Sequence, residues 1–240
     1  MIRLYLKNIE LFKGQNLEIL SQQHHNYLIN VLRASVGYKL KIFNELCGEF
    51  LAEIVSITKK TCIVDIIDLV RPVDKSDDRA QLCLAFAIIK PKRLEMLIDM
   101  STQLGVNVFQ PIISQNVTMH KLNQEKIESW IIESTEQSNR IEPPSIMPIM
   151  NLEDFISKNR NNFIYANEQE ENSKFSLISE QGGAFVNLLV GPEGGWSNKE
   201  LGVMREMGGA SITLGPNILR SETAAATIIA QYCLLKSLKI

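Results

Sequence analysis

Between residues 1 and 70, short apolar and polar alternations recur. Arg3–Lys7, Lys39–Phe43, Glu49–Ile57 and Thr61–Leu69 each carry the period-two pattern of a half-buried strand. Gln22–Leu32 breaks that rhythm with helical spacing and is closed by Arg33 and Gly37. The stretch Arg71-Pro72-Val73-Asp74-Lys75-Ser76-Asp77-Asp78 is charged and contains a proline, which predicts a join between domains 1–72 and 73–240. Beyond it the pattern changes. Leu82–Ile89, Val106–Ile113, Phe163–Ala166, Phe185–Val190 and Ser211–Leu214 read as buried strands. Helical segments fall at Lys92–Leu104, which Gly105 ends, and at Asn123–Asn139, Ser197–Met207 and Ser221–Leu238. This alternation predicts an α/β domain with a mainly parallel sheet covered by helices, preceded by a small β domain. Ligands of such sheets bind beyond the carboxyl ends of the strands, so the loops that follow strands are where chemistry is expected.

Composition narrows the picture little. The 240 residues are 45% hydrophobic with a formal net charge of −2. Residues 1–72 hold nine Lys or Arg against seven Asp or Glu, and the remainder sixteen against twenty, a weak asymmetry that permits a basic N-terminal face. No apolar run approaches the roughly 20 residues of a membrane-spanning helix, and Met1–Lys7 lacks the apolar core of a signal peptide. A cytoplasmic protein is expected, in which Asn116-Val117-Thr118 has no meaning as a sequon. Cys47, Cys62, Cys83 and Cys233 are scattered without C-x-x-C spacing and are expected to be reduced core residues. His24 and His25 are adjacent and cannot form an i, i+4 chelating pair, so no metal site is expected.

Two glycine-containing loops follow strands. Val190 leads into Gly191-Pro192-Glu193-Gly194-Gly195 and then Trp196, after which Ser197 and Glu200 have the spacing of a capping box, with Trp196 and Leu201 as its hydrophobic staple. This low-bulk backbone lets main-chain groups approach a ligand closely. Neither G-x-x-x-x-G-K-[ST] nor G-x-G-x-x-G is present, which favours a nucleoside without a phosphate over a nucleotide; a plain tight turn is the alternative. The second loop, Leu214-Gly215-Pro216-Asn217-Ile218-Leu219-Arg220, runs into Ser221-Glu222-Thr223, where Ser221 is a good N-cap and Glu222 suits the positive end of the helix dipole. Arg220 either clamps an anionic or base-like substrate or forms a surface pair with Glu222.

Together, "LLVGPEGGWSNKE" and "TLGPNILRSETAAATIIA" resemble the cofactor-binding end of SPOUT methyltransferases, specifically the 16S rRNA (uracil-N(3))-methyltransferase family. "HHNYLINVLRASVG", "QLGVNVFQPIIS" and "WIIESTEQSNRIEPP" extend the resemblance along the whole chain. It implies a PUA-like β-barrel that helps bind RNA, a SPOUT domain with a C-terminal trefoil knot, a homodimer, S-adenosylmethionine as methyl donor, and 16S rRNA within the small ribosomal subunit as partner. The cofactor residues it implies are Ala166, Val190, Gly191, Glu193, Gly194, Gly195, Leu214, Gly215, Leu219 and Thr223. Arg220 and Glu222 are the implied catalytic pair, and Arg3, His25 and Arg33 the candidates for RNA contact. Against the family pattern, Asn217 stands where Arg is common, Met100 where Lys is common and Gln103 where Glu is common, which removes charge near the presumed site. Two other functions are compatible with the same loops: a ribose 2′-O-methyltransferase and a non-enzymatic RNA-binding assembly factor.

Overall fold

A computed structural model describes residues 1–19, 22–59, 61–73, 81–170 and 185–237. Asp74–Asp78 of the expected join and Leu238 of the last expected helix lie outside the described residues. The chain divides into two compact units: Met1–Asp77 with Thr135–Pro143, and Asp78–Ser134 with Pro144–Ile240. A single cut after residue 72 does not describe this division, because Thr135–Pro143 packs with the N-terminal residues.

In the first unit the strands are β1 (Arg3–Tyr5), β2 (Asn16–Ile19), β3 (Lys39–Asn44), β4 (Gly48–Ile57) and β5 (Cys62–Arg71), in the sheet order β1-β3-β4-β5-β2. β1 pairs parallel to β3 and the other pairs are antiparallel, with irregularities between β4 and β5 that bend the sheet. Leu4, Leu40, Ile42, Ala52, Ile54 and Val64 form its core, and none exposes any surface. β2 was not expected: four residues with one buried position carry too little pattern. The expected helix is there but changes hand-hold midway, with α1 (Gln22–Asn26) followed directly by a π-helical turn, Tyr27–Val31. Arg33 closes it at φ 53°, an uncommon left-handed conformation outside glycine.

The N-terminal candidates for RNA contact are placed very differently. Arg3 lies inside the unit, 8% exposed, with Nε 2.6 Å from Glu49 Oε1 and the guanidinium donating to the carbonyls of Thr135, Glu136 and Arg140. It also sits 4.0 Å from the centre of the Phe43 ring. Arg3 is thus a structural residue rather than a surface one. His25 is buried as well, its Nε2 3.1 Å from the Thr58 carbonyl oxygen. Only Arg33 is exposed.

The second unit is the parallel α/β sheet that the pattern predicted. Its strands are β6 (Gln81–Ala87), β7 (Val108–Ile113), β8 (Ser145–Ile146), β9 (Met150–Asn151), β10 (Ile164–Ala166), β11 (Phe185–Val190) and β12 (Ala210–Ile212). The order is β12-β10-β11-β6-β7-β8, with β9 also on β7, and every pair is parallel. β8, β9 and the short helix α4 (Leu152–Lys158) were not expected; two-residue strands carry no periodicity to read. The covering helices are α2 (Pro91–Gln103), α3 (Gln124–Gln137), α5 (Asn198–Glu206) and α6 (Ser221–Ser237). Met100 and Gln103 sit in the last turn of α2, where Gln103 donates to Asp99. β6 is buried at six of its seven positions, as a strand covered on both faces must be. Of the cysteines, which are all free, Cys62 and Cys83 are buried, Cys47 is half-buried and Cys233 is exposed on α6, so the core expectation does not hold for Cys233. Burial pushes the Cys83 thiol up to about 12, which keeps it protonated and inert.

The ion cluster around Glu49 yields a stability prediction. Glu49 is 2% exposed; burial by itself would raise its pKa, but hydrogen bonds from Lys41 and Arg3 outweigh that and hold it below the usual carboxylate range. A depressed folded-state pKa contributes stability above the unfolded value that is lost as pH falls through the folded one. Glu49→Ala leaves Arg3 buried without its counter-charge, so denaturant unfolding at neutral pH should show a loss of roughly 3–5 kcal/mol. The difference from the unaltered protein should shrink as pH drops through the acid range; a pH-independent difference would contradict the assignment.

Candidate functional site

The path of the chain through the parallel sheet puts three loops side by side. After β6 it builds outward through β7, β8 and β9, then crosses to β10 on the far side, and β11 enters between β6 and β10. Strand order therefore reverses beside β6, the place where open parallel sheets form ligand crevices. Register aligns Ala166 with Ile212 across β10 and β12, and Tyr165 with Leu189 across β10 and β11. The carboxyl ends of all three strands consequently open onto one cleft, partly open to solvent.

Of the expected cofactor residues, Ala166, Val190, Gly191, Gly195, Leu214, Gly215 and Leu219 line this cleft, as does Asn217. Glu193, Gly194 and Thr223 do not. The Glu193 carboxylate is turned to Arg93 of α2, with Oε1 2.6 Å from Nη1; Gly194 packs against Asn116; Thr223 is exposed on α6. The sequence reading missed Asn167, Glu168, Gln169, Trp196, Thr213 and Ser221 as lining residues. Those after β10 follow a strand end, the one signal that pointed to them; the side chains themselves form no motif.

Local geometry explains why the glycine loop takes its shape. Trp196 folds its indole over Gly191, where a Cβ would fall 2.9 Å from the ring, and donates from Nε1 to the Ala166 carbonyl at 2.9 Å. The capping box forms as expected: Ser197 Oγ accepts from the Glu200 N–H at 3.3 Å, and Glu200 Oε2 accepts from the Ser197 N–H at 2.8 Å. Trp196 and Leu201 belong to one apolar cluster, as the staple required. Ser221 departs from expectation. It is the first helical residue, and its hydroxyl donates to the Gly191 carbonyl at 3.0 Å rather than capping α6, which joins the two glycine loops directly. Gly215, at φ 135°, occupies a conformation that side chains rarely adopt.

Neither a hydrogen bond nor an ion pair joins Arg220 to Glu222 among the described residues, so the alternative of a surface pair is not formed. Arg220 is exposed beside the cleft. Glu222 is 4% exposed, and its Oε2 is buried without a hydrogen-bond partner. An ionisable group so placed is costly unless function or a ligand uses it.

The lining also has a chemical signature. Val190, Trp196, Leu201, Leu214, Leu219 and Ala224 supply apolar surface, while Asn167, Gln169, Thr213 and Ser221 supply hydrogen-bonding groups. Among the described residues lining the cleft, Glu168 is the sole ionisable one and no Lys, Arg or His is present. Phosphate-bearing cofactors call for a cation or a phosphate cradle. A cationic nucleoside without phosphate fits this lining.

Comparison with known proteins gives the same direction. Residues 76–232 match the model of the RNA methyltransferase domain, and residues 25–67 that of the RNA methyltransferase PUA domain. A ribosomal RNA small subunit methyltransferase E of Rickettsia conorii is 41% identical over 239 residues, 98% of this chain and 96% of the relative. The chain belongs to this RNA methyltransferase family. Its α/β unit has the SPOUT-type fold of the family's solved members. A methyltransferase from Legionella pneumophila, solved in complex with the bound cofactor SAM, superposes with a TM-score of 0.85 at 29% identity over 98% of this chain and 97% of that one. A ribosomal RNA small subunit methyltransferase E from Neisseria gonorrhoeae bound to S-adenosyl methionine gives a TM-score of 0.83 at 26% identity, covering 99% of this chain and 98% of that one. No helix among the described residues is long and apolar enough to cross a membrane.

The contact between Gly191 and Trp196 can be tested directly. In Gly191→Ala the new methyl group meets the indole and should displace it from the Ala166 carbonyl. We expect a thermal-unfolding loss of about 1–3 kcal/mol and a shifted Trp196 emission, read in a Trp130→Phe background. Unchanged emission and stability would show that the loop gives way without the indole moving.

Proposed function

We propose that this protein transfers a methyl group from S-adenosylmethionine to ring nitrogen 3 of a uracil in 16S rRNA of the small ribosomal subunit. The observation that carries the proposal is the cleft of family-typical glycine loops at the ends of β10, β11 and β12, apolar, hydrogen-bonding and free of cations among its described lining residues. When bound, S-adenosylmethionine supplies an electrophilic methyl on a positively charged sulfur. Val190, Leu201, Leu214, Leu219 and Ala224 would hold the flat apolar part of such a molecule, Asn167, Thr213 and Ser221 its polar groups, and the Glu168 carboxylate suits its positive charge.

Alignment of donor and acceptor is the main task of the chain, and positioning of this kind lowers a barrier by roughly 7–11 kcal/mol. Nitrogen 3 of uracil carries a proton and faces its pairing partner, so the base must be exposed or flipped and must lose that proton. Arg220, exposed at the cleft, stabilises the uracil oxygens as negative charge develops on the ring. Glu222 carries a buried oxygen without a partner and receives the proton, a role typically worth about 10²–10⁴-fold; with no bond to Arg220 it does not orient that side chain. Residues 1–72 serve as the RNA-binding domain, with exposed Arg33 as a contact. His25 acts there through the fold, since it is buried. The protein works in the cytoplasm as a homodimer, with a C-terminal knot where the chain passes the glycine loop into α6.

Purified protein, labelled S-adenosylmethionine and small ribosomal subunits lacking the modification should yield 3-methyluridine on nucleoside analysis. Recovery of a 2′-O-methylated nucleoside would replace the proposal with the ribose reaction, and donor binding without transfer to subunits or free rRNA would reject the target. Arg220→Ala should lower kcat by at least about tenfold with donor affinity unchanged. Full activity in that variant would remove Arg220 from the mechanism.

A further inference from the structure

The glycine loop is gripped from outside the cleft as well as lining it. We propose that Asn116, on the turn after β7, is a positioning residue that sets the Gly194–Gly195 backbone for methyl-donor binding. This inference rests on the reading of the cleft as the S-adenosylmethionine site.

Asn116 does not line the cleft, so its effect must pass through the loop. Its Nδ2 lies 3.0 Å from the Gly195 carbonyl oxygen and 3.4 Å from that of Gly194. Two successive carbonyls converge there because Gly195 takes φ 69°, a left-handed conformation. Converging carbonyl oxygens repel unless a donor sits between them, and a carboxamide NH₂ with two hydrogens serves both. The seat is close: a Cβ on Gly194 would fall 3.3 Å from the Asn116 Cβ.

The turn that carries Asn116 is itself fixed. The Gln115 N–H donates to Glu200 Oε1 at 2.7 Å, while the other oxygen of that carboxylate closes the capping box at Ser197. One carboxylate thereby ties the start of α5 to the end of β7, and Asn116 reaches from that anchored turn to the glycines. On the opposite side Arg93 holds Glu193. The outer half of the loop, residues 193–195, is therefore determined by side chains from α2 and from the turn after β7, and Gly195 is the point at which this scaffold reaches the cleft wall.

The test compares Asn116→Ala and Asn116→Asp with the unaltered full-length protein. Calorimetric titration with S-adenosylmethionine well below the melting temperature gives affinity, steady-state kinetics give KM and kcat, and thermal unfolding gives stability. Asn116→Ala should weaken donor affinity about three- to tenfold, the worth of an ordinary hydrogen bond. Asn116→Asp presents an oxygen to two carbonyls at almost unchanged volume and should weaken it further, beyond about tenfold. In both variants KM for the donor should rise while kcat at saturation stays within about twofold and KM for RNA is unmoved. A merely structural residue would lower the melting temperature without that split. Wild-type affinity in Asn116→Asp, or a loss confined to kcat, overturns the inference and leaves the reading of the cleft standing. Failure of the unaltered protein to bind S-adenosylmethionine overturns both.

Discussion

A loop at the end of a buried parallel strand must satisfy its backbone polar groups without a neighbouring strand to do so, and Gly191–Trp196 faces that constraint in the acute form. Its solution is a ring of side-chain contacts from the surrounding elements. Ser221 of α6 donates to the Gly191 carbonyl, Asn116 to those of Gly194 and Gly195, and Trp196 to Ala166 at the end of β10. Arg93 of α2 takes the Glu193 carboxylate and Glu200 caps α5. Contacts from four different segments, α6, the turn after β7, the end of β10 and α2, therefore converge on that one six-residue loop at the cleft.

Charge is divided between the cleft and its surroundings. The described cleft lining bears a lone carboxylate and no cation, which suits a positively charged donor. Arg220 is outside, exposed, and Glu222, two residues on, is buried. Glu222 is on the first turn of helix α6 and Arg220 on its approach.

Strong periodicity made the elements of the second unit legible, and the capping box at Ser197 and Glu200 fixed the start of α5 to the residue. Pattern failed where elements are too short to show a period, as in β2, β8 and β9. It failed too where one residue type has two uses. Ser221 has the chemistry of an N-cap, yet its hydroxyl finds the Gly191 carbonyl, thirty residues away in sequence. Arg3 has the charge of an RNA contact, yet its guanidinium is spent on Glu49 and on three carbonyls of residues 135–140.

By itself the sequence determined the α/β class, the loops that follow β11 and β12, and the family, because hydrophobic spacing and glycine motifs are local properties of the chain. Tertiary structure alone decided which of those residues face one another. The order of strands in the sheet is a non-local choice, and it is this order that brings Asn167, Thr213 and Ser221 to the same cleft and Asn116 to the back of the glycine loop. It also turns Glu193, whose motif suggested a ligand, toward Arg93, since a carboxylate near a guanidinium is better satisfied by that pair than by a wall without a cation.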